Sequence, residues 1–492
     1  MNIWTSTLFF ILLLSQPLLA QQEDKTNILP KGLRPSATRV TSFNAMYLEQ
    51  HKEALAKFER PATLGMIEIP VQIHIVRSAD RKNNVNVHDV HAAFDALNKY
   101  FMINYTRFVP LGDFNYIQET AYYDFDKTQE DDIGKAYDKK NVLNLYLVGS
   151  ITEEGQKYCG YTLFPEEVKH QKNQIFITSS CLDNGVTLAR EMAHYLTLYA
   201  THGTGNSKVG EFVSGENCLT EGDEICDTPA DPEFVMSDID DRCGYIGKQK
   251  DNSGRKRYYK PDTHNLMSDN PRLYCCNQFT TGQYKRMLYA AIHIRNELEF
   301  PPSGYSRKQL KQMALDKGIE GSVTVQMGNQ AIKSELDGNL YHHKGAVYSE
   351  GDVYKITATT YKKGYVYILE GDREKGIYVK FPDLEKGDKA FSPNDEKMEV
   401  VVSPLKVDEL AGEDGLNHIV VLFSRRQLEI DQLVREMNDI ELDLDVIQRI
   451  YRVIGPDMIP THYLDYSPTS QKVEGIAIDK FIAPVIIEYQ QK

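Results

Sequence analysis

Apolar residues recur along this chain with two different periods. Ile67–Val76 (IEIPVQIHIV) alternates and is rich in β-branched residues, which predicts a strand. Val87, Val90, Phe94, Leu97 and Phe101 recur at helical spacing and predict an amphipathic helix over 87–101. Val142–Val148 and Ile175–Thr178 read as further strands. Gly185–Ala200 (GVTLAREMAHYLTLYA) reads as a helix behind the turn signal Asp183-Asn184-Gly185. Asn44–Phe58 and Gly282–Leu298 are also helical in pattern. Interleaved strands and helices predict a mixed α/β unit. Gly203–Pro271 loses all periodicity and is rich in Gly, Asp, Pro and Cys, so it is expected to be loop. Pro301-Pro302-Ser303-Gly304 then punctuates the chain. Beyond it, Val353–Thr359, Gly364–Leu369, Ile377–Phe381, Met398–Val402 and Ile419–Phe423 are short strands at regular spacing, as in a β-sandwich or barrel. Arg426–Ile454 reads as helix, and the last forty residues as extended chain.

Composition narrows the function classes. The 492 residues carry 56 Lys and Arg against 70 Asp and Glu, a formal charge of -14. No basic stripe is available to neutralise phosphates, so a nucleic-acid partner is not expected. Trp4–Ala20 holds an apolar run, Leu8–Leu14, broken by Ser15-Gln16-Pro17 well short of the roughly 20 residues a membrane span needs. It reads as a secretory signal over 1–20, with no membrane span expected anywhere. All seven cysteines fall between Cys159 and Cys276, which in an exported chain favours disulfides over free thiols. Cys159 and Cys181 flank the strand leading into the 185–200 helix and are paired with each other. The odd count leaves at least one cysteine over.

The chemistry centres on Arg190–Ala200, R-E-M-A-H-Y-L-T-L-Y-A. It parallels the zinc-peptidase pattern H-E-x-x-H-x-x-G-x-x-H, in which two His one helical turn apart bind the metal and the Glu takes a proton from its water. Downstream lie Cys218, then E-G-D-E-I-C-D-T-P-A-D-P over 221–232, Asn265-Leu266-Met267-Ser268, and F-T-T-G-Q-Y-K-R-M over 279–287. In that order and spacing, over about residues 66–300, these motifs resemble the pappalysin family of metzincin metallopeptidases, especially secreted bacterial members related to ulilysin. The resemblance implies an α+β fold, a metzincin-like zincin domain with a disulfide-stapled lower half and a Met-turn at Met267. It implies that Cys218, Cys226 and Cys243 pair among themselves and with one of Cys275 or Cys276, the other staying free. It also implies calcium on Gly222–Thr228, through the Asp223 carboxylate and the carbonyls of Gly222, Cys226 and Thr228. The alternative there is an acidic turn capped by its own hydrogen bonds.

The departures from that pattern decide the functional expectation. Of the three imidazoles, only His194 carries over. Arg190 replaces the first and Ala200 the third, while Thr197 stands at the Gly and Asp269 at an aromatic position. A guanidinium repels a dication and cannot be deprotonated. His202 is the nearest substitute ligand but lies two residues out of place. Glu191 is thus a vestigial general base and His194 a vestigial ligand, and zinc is not expected. The organisation read here is a signal over 1–20, a linker or leading segment over 21–65, and the pappalysin-like domain over 66–300. A linker over 301–340, a small β-domain over 341–430, and a helix with C-terminal tail over 431–492 follow. Tyr361, Tyr365 and Tyr367 lie at strand spacing in a segment that is similar to small β-domains appended to secreted bacterial proteins. The expected function is an exported pseudopeptidase that holds a peptide or protein against a sheet edge. The alternatives are an active metalloendopeptidase using His194, His202 and a further carboxylate, and an interaction protein acting through the β-domain.

Overall fold

The computed structural model describes residues 27–491 except 62–64, 81–84, 113, 167–171, 183–184, 205–208, 234, 301–311, 314, 384–387, 394–396, 407–415, 441–442 and 478–479; of 344–347 it describes the backbone alone. The expected signal at 1–20, the Asp183-Asn184 half of the turn signal and the 301–304 punctuation lie outside those residues.

The first unit is a nine-stranded sheet with helices. Its strands are β1 (Leu33–Ser36), β2 (Ile67–Arg77), β3 (Thr106–Pro110), β4 (Asn115–Gln118), β5 (Asp124–Asp126), β6 (Leu143–Val148), β7 (Ser150–Glu153), β8 (Gln156–Thr162) and β9 (Gln174–Thr178). The order runs β3-β2-β6-β9-β8-β7-β5, with β2, β6 and β9 parallel and β8 antiparallel to β9. The helices are α1 (Ser42–Lys57), α2 (Val87–Phe101), α3 (Thr120–Tyr123), α4 (Glu130–Tyr137), α5 (Val186–Tyr195) and α6 (Thr281–His293). The alternating apolar face of β2 (Ile69, Val71, Ile73, Ile75) and the 3.6-period face of α2 (Val90, Phe94, Leu97, Phe101) meet in one core with α5 and α6. At Gly185 the chain enters α5 in the left-handed conformation (φ 77°), where a Cβ would meet the Ala93 carbonyl of α2 at 2.8 Å.

Three expectations here need correction. Of the segment read as a linker or leading segment over 21–65, the described residues are built into the domain: α1 is a capped helix whose Leu48 joins the core, and β1 is a strand of the sheet. The helix read over 185–200 stops at Tyr195. Thr197 takes a left-handed backbone (φ 72°), so the chain turns where the zinc-peptidase pattern has its Gly. The helix read over 282–298 likewise ends at His293.

The second unit is a two-sheet sandwich. Its strands are β10 (Gly318–Met327), β11 (Gln330–Ala331), β12 (Ser334–Asp337), β13 (Leu340–Tyr348), β14 (Val353–Thr360), β15 (Gly364–Asp372), β16 (Gly376–Phe381), β17 (Phe391–Ser392), β18 (Met398–Lys406), β19 (Leu416–Ser424), β20 (Leu464–Tyr466), β21 (Gln471–Ile476) and β22 (Ile482–Gln491). One sheet is ordered β18-β14-β10-β21-β20 and the other β12-β13-β22-β19-β15-β16. The 301–340 linker and the 431–492 tail are corrected accordingly: β10 and β22 lie inside these sheets. Arg426–Ile454 is two helices, α7 (Ile430–Asn438) and α8 (Val446–Ile454), because Asp445 caps a new start with Gln448. Tyr367 is buried and donates no free face; its hydroxyl accepts from Leu428 N–H at 2.8 Å.

Candidate functional site

α5 lies wholly inside the protein, so each of its polar side chains must find a partner. Arg190 and His194, one turn apart, face a cleft of about 480 Å³. Arg190 donates to the Ser268 carbonyl and to the Asp269 carboxylate. The other Asp269 oxygen lies 3.4 Å from His202 Nε2. His194 Nδ1 bonds the Leu198 carbonyl at 2.8 Å, a contact made by the turn at Thr197. Arg190, Asp269 and His202 therefore form a cation–anion–imidazole chain across the cleft floor, with His194 beside it.

Charge states follow from these contacts. Burial opposes ionisation of Asp269, but the Arg190 guanidinium and His202 hold it well below the usual carboxylate range. His202 is raised: burial works against its charged form, and the hydrogen bond and charge of Asp269 outweigh that. His194 is lowered to about 3 by burial and by Arg190, so its imidazole is neutral.

Glu191 points away from this chain. It is fully buried and accepts from Thr38 Oγ at 2.8 Å; its other oxygen has no hydrogen-bond partner among the described residues. Room for it comes from Gly160 on β8, where a Cβ would sit 2.5 Å from the Glu191 side chain. Burial raises its carboxyl to about 7, against the hydrogen bonds from Ser36 and Thr38. Arg190 is thus bound to Asp269, and Glu191 to the N-terminal segment.

That segment runs along the cleft. β1 pairs in parallel with the outer edge of β8 (Leu33 opposite Lys157, Ser36 opposite Gly160). The contact continues through Ala37 N–H to the Gly160 carbonyl at 2.8 Å and Thr162 N–H to Thr38 Oγ at 2.9 Å. Arg34, Pro35 and Arg39 line the cleft from this side, and Glu233 and Met236 from the other.

Below the helix the chain makes the tight Met267 turn: Met267 N–H bonds Asn265 Oδ1 at 2.9 Å, and Thr201 N–H bonds the Met267 carbonyl at 3.1 Å. Disulfides join Cys159 to Cys181, Cys218 to Cys226 and Cys243 to Cys275, and Cys276 is a buried free thiol.

Zinc does not fit the position that the motif reserves for it, since a guanidinium already bonded to Asp269 stands there. His202, Glu233 and Asp269 do bring three ligand atoms within 4.8 Å of one another, but Asp269 is already bonded to Arg190 and lies against His202. A hard cation fits the 222–228 loop better. Asp223 is fully buried, Thr228 Oγ is buried beside it, and the buried Glu211 carboxylate lies against Gly222. Burial, then Asp223 and Asp231, push Glu211 up to about 8; burial pushes Asp223 up to about 7. The Asp238, Asp240 and Asp241 cluster is a turn, with Asp240 accepting from Arg242 N–H and Gly244 N–H.

Sequence reading missed Thr38, Glu211 and Glu233, which carry no motif. Asp269 was visible as a departure from the family pattern. Its signal was that a second departure, Arg190, has the opposite charge.

Among known proteins, no family model matches the chain, and no curated protein does. Among solved structures it is similar to a mutant form of Tannerella forsythia promirolysin, at 18% identity and a TM-score of 0.37, over 52% of this chain and 93% of that one.

Proposed function

We propose that this chain is an exported, pappalysin-like protein that binds a peptide strand in its cleft without hydrolysing it. The observation that carries the reading is the Arg190–Asp269–His202 chain, which puts a satisfied ion pair where a catalytic metal would need open coordination. Glu191, raised to about 7 and bonded to Thr38, has no metal-bound water to deprotonate. Residues 33–36 of the same chain show that the β8 edge takes an added strand, and an outside peptide would have to displace them or lie along β1 in the cleft. Export is supported by three disulfides; no helix among the described residues is long and apolar enough to cross a membrane. Purified protein should hold well under one zinc per chain and should leave casein intact with or without a zinc chelator. Stoichiometric zinc lost in His194→Ala would overturn the reading.

Calcium belongs to the same proposal as a structural ion held by Asp223, Glu211 and Thr228. Without it, two carboxyls are raised in the folded state, so they favour folding below about pH 4 and lose that contribution as pH rises through 7 to 8. Added calcium should therefore raise Tm at pH 8 and do little at pH 5. Equal melting in calcium and in a chelator at pH 8 would remove calcium from the proposal.

A further inference from the structure

A second cavity, separate from the cleft floor, lies between α1 and α6. Its volume is about 380 Å³, at the small end of the roughly 300–1,000 Å³ typical of ligand sites. Leu48 and Leu55 of α1 wall one side, Tyr289 of α6 and Ile294 another, and Ile225 a third. The Cys218–Cys226 disulfide pins the loop that carries Ile225.

The polar end is unbalanced. Lys52 is neutralised by Glu49 and Glu224, each at 3.3 Å. Among the described residues, Lys285 Nζ donates only to the Ala56 carbonyl, at 3.1 Å. Arg286 is 7% exposed; it donates to the Asp223 carbonyl at 2.9 Å and lies 4.3 Å over the Tyr199 ring. The Asp223 carboxylate itself is taken by Ile225 N–H and Gln283. Among the described residues no carboxylate stands within ion-pair distance of Lys285 or Arg286. A buried guanidinium is stable when paired, and its planar fork matches a carboxylate.

We propose that this cavity binds a small organic acid with an apolar body, the body packed against Leu48, Leu55 and Ile225 and the carboxylate held by Lys285 and Arg286. A cationic head would meet like charge there, and a neutral one would leave Lys285 without an anion. The proposal is independent of the fate of the zinc position.

The test titrates the full-length protein with octanoate, and with octanol as the uncharged analogue, by isothermal calorimetry. Octanoate should bind saturably, one per chain, and octanol about tenfold more weakly, the worth of a charge-assisted hydrogen bond. Lys285→Ala, at a half-buried position, should weaken octanoate binding by about tenfold as well. Leu48→Trp, checked for folding by its melt, should fill the cavity and abolish binding. No saturable octanoate binding, octanol binding as tight as octanoate, or an unaffected Lys285→Ala variant would each overturn the proposal.

Discussion

At position 190 the chain carries a side chain that keeps its charge at any physiological pH, and Asp269, 79 residues away, answers it. The neighbouring Glu191 meets burial differently, by holding its proton to a higher pH than a free carboxyl does. Its carboxyl rises from 4.5 to about 7, so it favours the folded state fully below pH 4.5 and loses that contribution as pH rises through 7. Glu191→Gln keeps the shape and the Thr38 contact but cannot ionise. Urea unfolding should show the variant within about 1 kcal/mol of wild type at pH 5 and more stable by about 3 kcal/mol at pH 8. A variant less stable than wild type at pH 8 would mean that Glu191 is ionised and useful as an anion. Much of the site was legible at this scale, because Arg190, Glu191 and His194 sit at fixed offsets on one helix and Ala200 at a fixed offset just beyond its end. Thr38 and Glu211 were not, since nothing in local sequence announces a hydroxyl that reaches a buried acid 153 residues away.

At the scale of elements, β1 decides what the cleft can hold. An outer strand leaves a row of backbone groups unpaired and invites another strand to join. Here residues 33–38 meet that need from within the chain and press Thr38 onto Glu191. A chain beginning at Ser42 should therefore expose the β8 edge and bind a synthetic peptide of residues 27–41 in trans, read by fluorescence anisotropy. The full-length chain should bind that peptide far more weakly. Equal binding by both would show that β8 is not the docking edge. Periodicity made α2 legible because it presents one buried and one exposed face, and β2 legible because Gln72 and His74 alternate with Val71, Ile73 and Ile75, although both faces of that strand are buried. It failed at β22, where Ile482–Ile487 is buried on both faces and no alternation survives, and at Thr197, a β-branched residue in a conformation its type disfavours.

Across the whole molecule, the two units share buried structure. Met102 and Tyr105, at the end of α2 and the entry to β3, pack in one apolar cluster with Leu369, Ile450, Tyr451 and Met458 of the sandwich side. Beside them Arg107 donates to the Met458 carbonyl at 2.6 Å and lies 3.7 Å from Glu68, whose carboxylate also accepts from Thr461 N–H and Oγ at 2.9 Å. Gln448 bonds the Ile103 carbonyl at 2.8 Å, and Lys480 pairs with Asp95 at 2.7 Å. A spacer joined by a loose linker would show none of this, so the β-unit acting alone with an inert scaffold is the least supported of the functional alternatives. Ending the chain at residue 304 should expose Met102 and Tyr105, now 1% and 4% accessible, and leave Arg107 and Glu68 without their covering partners. The truncated protein should bind a hydrophobic dye, lose several degrees of Tm and tend to aggregate, while the full chain unfolds in one cooperative step. A monomeric truncated chain that melts at the full-length temperature would show that the shared cluster contributes nothing, and would restore the two units as independent.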